Sequence, residues 1–327
     1  MWQAARGEKM SVMTAITNAA SFRLAGYTDW RMPTVKELYS LIQFTGQSAS
    51  TAAACTPYID TNYFEIVFGD ATGARVIDGQ DYSSSIYVSN VFGNMKADFG
   101  VNFIDGRIKG YGFNTMSKNT QGNKYARYVR GNKDYGINQF VDNSDGTISD
   151  LATGLMWSQE DSKVGMNWKD ALAWAQKKNS EKYLGHSDWR VPNAKELQSL
   201  VDYTRSPDTT DSAAINPLFS STPIVNEGGV KDFAYYWTST THLEGGQGAI
   251  AVYIAFGRAL GYMKLGGSSY YTLYDVHGAG AQRSDPKSGS PSDYYLGVDG
   301  KGEAVYGRGP QGDVLRITNF VRLVRNI

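Results

Sequence analysis

Apolar residues fall at three- and four-residue spacing in two short stretches with a shared lead-in. After Thr34 come Leu38, Leu41 and Ile42; after Asn193 come Leu197, Leu200 and Val201. Each stripe predicts a core-facing helix. Both helices also start alike: Thr34 with Glu37, and Asn193 with Glu196, have the spacing of a reciprocal capping box. Pro33 and Pro192 restrict the approach to the cap. An earlier helix is predicted from Asn167, with Asp170 at its third position and Trp168, Ala171, Leu172 and Ala175 on its apolar side. Its weaker counterpart covers residues 11–20, with Val12, Ile16 and Ala19 at helical spacing. The remaining apolar pattern is that of short strands. V-N-F-I-D-G-R-I-K-G-Y from Val101 and V-Y-I-A-F-G-R-A-L-G-Y from Val252 predict a glycine-containing hairpin in each half. R-Y-V-R at 127–130 and R-L-V-R at 322–325 predict alternating closing strands.

These matches are parts of one duplication. G-Y-T-D-W-R-M-P-T-V-K-E-L-Y-S-L-I at 26–42 and G-H-S-D-W-R-V-P-N-A-K-E-L-Q-S-L-V at 185–201 agree at 10 of 17 positions. Y-S-S-S at 82–85 and W-T-S-T at 237–240 follow in the same order. Colinear blocks imply two whole α+β domains in tandem, 1–133 and 134–327, each with two helices ahead of small antiparallel sheets. T-I-S-D-L-A-T-G-L-M-W-S at 147–158 reads as the opening of the second. M-W-Q at the start resembles M-W-S-Q at 156–159, so the expected counterpart of the second copy's first strand would precede residue 1. The first ten residues lack the apolar stretch of an export signal. F-V-D-N-S-D-G-T-I-S-D near the boundary predicts a D-G hairpin. A calcium loop does not fit it, because the first and twelfth ligand positions would be Val141 and Ala152.

Composition narrows the chemistry. With 32 basic and 32 acidic side chains among 327 residues, no one-sided field draws the chain to nucleic acid. No apolar run is long enough to span a membrane. Cys55 is the single cysteine, and His186, His242 and His277 are far apart; neither a disulfide nor a metal motif follows, and nothing points to a cofactor. No G-x-S-x-G, H-E-x-x-H or glycine-rich phosphate loop is present in a usable place. An enzymatic role is therefore the least supported class.

Trp30 and Trp189 are expected as core anchors, each grouped with its second helix and closing strand: Leu38, Leu41 and Val129 in one copy, Leu197, Leu200 and Val324 in the other. Arg31, Arg190, Arg127, Arg130, Arg322 and Arg325 are expected to meet internal acids or carbonyls. The copies differ most after the G-R turn, where the second carries 44 more residues before its last arginine. This Gly-, Ser- and Pro-rich excursion, at about 263–315, reads as a surface addition to a scaffold that closes without it. Its Tyr270, Tyr271, Tyr274, Asp275, His277, Arg283, Asp285, Tyr294 and Tyr295 are the candidate ligand contacts. Tyrosine supplies a ring and a hydroxyl, and the charged groups add directional bonds. The alternative is that these tyrosines pack the loop back onto the protein.

The D-W-R-x-P-x-x-x-E-L blocks, D-G-T-I-S-D-L-A-T-G-L-M-W, Y-W-T-S-T and the closing V-R-L-V-R-N together resemble the bacterial Legionella collagen-like protein C-terminal domain family, in two copies over nearly the whole chain. The resemblance implies a C-type-lectin-like fold in surface or exported proteins, some of them linked to adhesion or glycan binding. It implies recognition of a glycan or a surface protein, with a structural or assembly role as the alternative. The E-P-N and W-N-D motifs of calcium-dependent lectins are missing, as are paired disulfides. A single cysteine also cannot supply the reactive pair of the formylglycine-generating oxidases, which share that fold.

Overall fold

A computed structural model describes residues 1–69, 76–113 and 123–327. The first copy contains α1 (Val12–Ser21), α2 (Val35–Tyr39), β1 (Gln80–Ile86), β2 (Ala97–Asn102) and β3 (Arg107–Gly112). The second opens with β4 (Phe140–Asp142), β5 (Thr147–Asp150) and β6 (Leu155–Ser158), followed by α3 (Trp168–Ser180), α4 (Ala194–Ser199) and a one-turn helix at Pro207–Thr210. Then come β7 (Pro223–Val225), β8 (Lys231–Phe233), β9 (Tyr235–Glu244) and β10 (Gln247–Ala255). The excursion supplies β11 (Leu260–Met263), β12 (Thr272–Asp275), β13 (Gln282–Pro286), β14 (Tyr295–Val298) and β15 (Ala304–Tyr306), and β16 (Val324–Asn326) closes the chain.

Local chemistry sets the helix starts. Both capping boxes are formed: Thr34 accepts from the Glu37 N–H while Glu37 reaches back to the Thr34 N–H, and Asn193 and Glu196 do the same. Ser11 and Asn167 cap the earlier helices. On α1 the buried side is Val12, Ala15 and Ala19, with Ile16 turned outward at 39% exposure; Val12 and Ala19 face inward as expected, and Ala15 takes the place expected for Ile16.

The two copies share a sheet. Six antiparallel strands run in the order β1-β2-β3-β13-β10-β9, three from each copy, and join where Gln282 faces Ile108. A four-stranded sheet, β16-β6-β5-β4, belongs to the second copy. The hairpin expected after Gly257 does not form. Arg258 N–H donates to the Asp232 carboxylate at 3.0 Å, and Gly257 is so close to the Phe233 carbonyl that a Cβ would sit 2.3 Å from it. Clamped to β8, the chain leaves the sheet, β11 pairs with β12, and β13 returns to lie beside β10. The excursion therefore contributes an inner strand, and the second copy's sheet depends on it.

The core differs from the two separate centres expected. Leu38 and Ile42 of one copy and Leu197, Leu200 and Val201 of the other belong to one cluster, which also holds Phe99, Val101, Ile108 and Ile254. Trp30 is buried elsewhere, against Val12, Ala15, Ala19 and Tyr128. Trp189 is buried against Ala171, Ala175, Val321 and Leu323. Each tryptophan thus fixes its first helix to its closing segment, while the second helices of both copies build the common centre. Leu41 is only partly buried. Among the described residues, no helix is long and apolar enough to cross a membrane.

Candidate functional site

The frame on which any site rests is made twice. Arg31 grips Glu37 with two parallel bonds of 2.7 and 2.5 Å, and Arg190 grips Glu196 at 2.6 and 2.7 Å, so the residue beside the tryptophan anchors the capping box. The aspartate of D-W-R meets the closing segment, which is a strand (β16) in the second copy and only bridged at Val129 in the first: Arg130 reaches Asp29 and Arg325 reaches Asp188, each at 2.7 Å. Arg127 and Arg322 are buried and point their bonds chiefly at carbonyls. Arg127 donates to Gln3, Ala4 and Glu65, and Arg322 to Ser158, Gln159 and Ser220. The carbonyls of Pro33 and Pro192 receive the N–H groups of Ser84 and Ser239 at 2.7 and 2.8 Å. This ties each lead-in to the Y-S-S-S or W-T-S-T strand.

The lysine of each K-E-L block was not singled out by sequence reasoning, although it is repeated. Lys36 donates to the Ser199 carbonyl of the second copy at 2.7 Å, and Lys195 donates to the Ser40 carbonyl of the first at 2.9 Å. Because Lys36 matches Lys195 and Ser40 matches Ser199, the contact is reciprocal, as in a twofold interface between identical subunits. Lys36 also holds the connecting segment through Gly136 O at 3.1 Å and Asn138 Oδ1 at 3.0 Å. Burial pushes its ammonium down to about 8. The connecting segment borders two hollows that share its Tyr135, Gly136, Ile137 and Asn138, one of about 310 Å³ with Tyr39, Lys195 and Gln198 in its wall and one of about 420 Å³ beside Tyr203 and Asn216.

The structure divides the nine candidate contacts of the excursion. Four are gathered on its outer side. Tyr270 and Tyr295 are 48% and 61% exposed, and Tyr271 and Tyr294 are half-buried. Glycines bring them together: the Tyr271 ring lies against Gly297 and the Tyr270 ring against Gly300, at distances a Cβ would narrow to 2.8 and 3.2 Å. Tyr271 N–H donates to the Val298 carbonyl at 3.0 Å, and the rings of Tyr295 and Tyr306 meet edge-on at 6.0 Å. Lys264 sits 4.7 Å from the Tyr271 ring centre, a cation–π contact. Tyr306 and Lys264 were not foreseen, since neither lies in a repeated block. Tyr274 is half-buried on β12.

The other four point inward. Asp275 accepts from the Tyr87 hydroxyl of the first copy at 2.8 Å, and burial pushes its carboxyl up to about 7. His277 and Arg283 converge on Asp313 at 2.8 Å or less. Burial, with Arg283 nearby, pushes His277 down to about 4, so at neutral pH it is uncharged. The Asp313 carboxyl is held well below the usual range by Arg283 and His277, against the opposing effect of burial. Asp285 accepts from the Arg316 and Ile317 N–H groups and from Asn319, and burial raises it to about 6. These groups bind the excursion to the sheet; His277, Arg283 and Asp285 are buried and Asp275 is half-buried. His242 is likewise enclosed, between Ser284 and the Asp105 carbonyl. Among the described residues, no three His, Cys, Asp or Glu side chains are placed to hold a metal ion. Cys55 is half-buried beside the Ala49 backbone.

Comparison with known proteins agrees with this duplicated frame. The family model described as the Lcl C-terminal domain matches twice, over residues 1–130 and 146–274. The second match ends at the far side of the β11–β12 hairpin, so the rest of the excursion and the closing strand fall outside it. No curated protein and no solved structure matches the chain. The matched stretches together span most of the sequence, and the chain belongs to the Lcl C-terminal domain family, as two α+β copies in tandem.

Proposed function

We propose that the protein is a non-catalytic recognition module of a secreted or cell-surface protein, with a C-type-lectin-like fold, and that it binds a carbohydrate or protein ligand along the outer tyrosines of its excursion. One observation carries this reading: Tyr270 and Tyr271, just ahead of β12, pack against Gly300 and Gly297 of the segment that Tyr294 and Tyr295 open, so the four tyrosines stand on two adjoining stretches of the excursion. Aromatic rings already held in place lose little side-chain freedom on binding, and their hydroxyls remain available to sugar or peptide polar groups. Asp275, His277, Arg283 and Asp285 serve the site from below by fixing β12 and β13.

The alternative of a structural or assembly domain is favoured by the reciprocal lysine contacts, which weld the copies into one body. An array of glycans and bacterial surface proteins distinguishes the two. The full chain is expected to bind a restricted set of ligands, and a Tyr270→Ala/Tyr295→Ala variant with unchanged melting is expected to lose about tenfold or more in affinity, the effect of removing an aromatic contact worth about 1.4 kcal/mol. Equal capture by the variant, or no selective capture by the parent, rejects the tyrosine face as the site.

A further inference from the structure

The smaller hollow beside the connecting segment is walled by three matched pairs from α2, α4 and their ends: Lys36 with Lys195, Tyr39 with Gln198, and Ser40 with Ser199. Lysine and serine agree between the copies and make the reciprocal contacts. The third pair differs. Both of its members are buried, Tyr39 at 1% exposure and Gln198 at 3%, so the interior of the hollow takes its character from the position at which the two K-E-L blocks part.

Gln198 is tied at one end only. The Tyr203 hydroxyl donates its single hydrogen to the Gly280 carbonyl at 3.1 Å, so it accepts from the Gln198 amide nitrogen, also at 3.1 Å. The amide is thereby oriented, and its Oε1 receives no bond among the described residues. Tyr203 stands in the wall of the larger hollow and Gln198 in that of the smaller, which leaves Oε1 as an acceptor for the smaller one. Lys195 brings donors to the same space. One of its three N–H groups goes to the Ser40 carbonyl, and no other bond among the described residues uses the remaining two. No carboxylate is close enough to act on its ammonium, Asp134 of the wall included. Lys36, by contrast, is held by Ser199, Gly136 and Asn138. An uncompensated cation and a buried, oriented acceptor with no partner therefore share one hollow.

We infer that this hollow is a second binding site, separate from the tyrosine face, and that its ligand is a small carboxylic acid with an N–H or O–H donor beside the carboxylate. The two carboxylate oxygens take the two free N–H groups of Lys195, and Gln198 Oε1 accepts from the neighbouring donor. A short apolar body rests on Tyr39, Ile137 and Ala152. One lysine balances one negative charge, which favours a monoanion over a phosphate. The 310 Å³ of the hollow is the space of about ten waters, room for a molecule of roughly a dozen non-hydrogen atoms.

The test titrates the full chain with N-acetyl-L-leucine and with leucic acid, its hydroxy counterpart, and follows the side-chain amide of Gln198 by NMR. At least one of the two acids is expected to saturate with a dissociation constant on the order of 1 mM, the affinity open to a ligand of this size; which one does so tells whether the donor is N–H or O–H. N-acetyl-L-leucinamide, which lacks the charge, should bind about tenfold more weakly than the acid, and Lys195→Met, with unchanged melting, should weaken the acid about tenfold as well. The Tyr270→Ala/Tyr295→Ala variant is expected to bind it as the parent does, so failure of this site and failure of the tyrosine face are read separately. Absence of saturation by both acids, or binding undiminished in the neutral amide or in Lys195→Met, overturns the inference.

Discussion

Replacing Arg322 with methionine keeps roughly the length of the side chain and removes its five donors. The wild-type guanidinium is fully buried and donates to the carbonyls of Ser158 and Ser220 at 2.9 and 2.8 Å and to that of Gln159. It thereby binds the end of β6 to the segment that carries Phe219. Three charge-assisted bonds at about 1.5–3 kcal/mol each amount to roughly 4–9 kcal/mol. Against this stands the cost of keeping a cation out of water, several kcal/mol, which the substitution relieves. A net loss of roughly 2–4 kcal/mol is expected for Arg322→Met, since the three carbonyls remain behind with little access to water. Arg127→Met should lose a similar amount, because Arg127 is equally buried and reaches Gln3, Ala4 and Glu65 in the same pattern. Burial lowers the Arg127 guanidinium to about 10, which still leaves it charged at neutral pH. The assay is urea unfolding followed by tryptophan fluorescence. Losses below about 0.5 kcal/mol in both variants would show that water replaces the arginine at little cost and would refute the reasoning.

Two further variants probe the shared interior. Asp98 is fully buried on β2, neither of its carboxylate oxygens has a hydrogen-bond partner among the described residues, and burial raises its carboxyl to about 7. Because the folded state holds that proton more tightly than the unfolded chain, the contribution to stability is fully present below about pH 4 and is lost as the pH rises towards 7. Asp98→Asn should therefore be more stable than wild type at pH 8, by about 1–3 kcal/mol, and the two should converge at pH 4; an advantage that does not vary with pH, measured by thermal unfolding, contradicts this origin. Lys36→Met removes three bonds at a largely buried amine and is expected to cost about 1–3 kcal/mol, whereas Lys195→Met removes one bond at an exposed side chain and costs less than about 1 kcal/mol. Equal losses in urea unfolding would mean that the reciprocal contacts do not differ in burial as described.

What could be read from the sequence was local. The capping boxes at Thr34 and Asn193 are set by residues three positions apart and occur as expected. The inner strand β13 could not be read. Gln282, Arg283, Ser284, Asp285 and Pro286 show no alternation and no apolar run, and they follow a glycine-rich stretch. All five are nonetheless buried, and partners distant in sequence meet three of their side chains: Asp313 for Arg283, His242 and Arg107 for Ser284, and Asn319 with two backbone N–H groups for Asp285. A polar strand is tolerated in an interior only when such partners exist, and their existence is a property of the fold. Residue type and membership of the added excursion weigh Arg283 and Tyr295 alike. Position separates them, one in an internal ion pair and the other in solvent.

Duplication sharpens that separation into a statement about where function resides. Wherever the copies agree, their common residues close the fold: arginine on carbonyls, arginine on the capping glutamate, tryptophan on the first helix, lysine on the opposite copy. Contacts made twice in the same geometry are explained by stability alone. The copies part most at the tyrosine-bearing excursion after Gly257, which adds exposed rings beyond what closure of the sheet through β13 requires. Exposed rings do not stabilise the isolated chain, since they lose burial. A stability requirement shared by both copies does not account for them, so this is a surface on which binding should be sought.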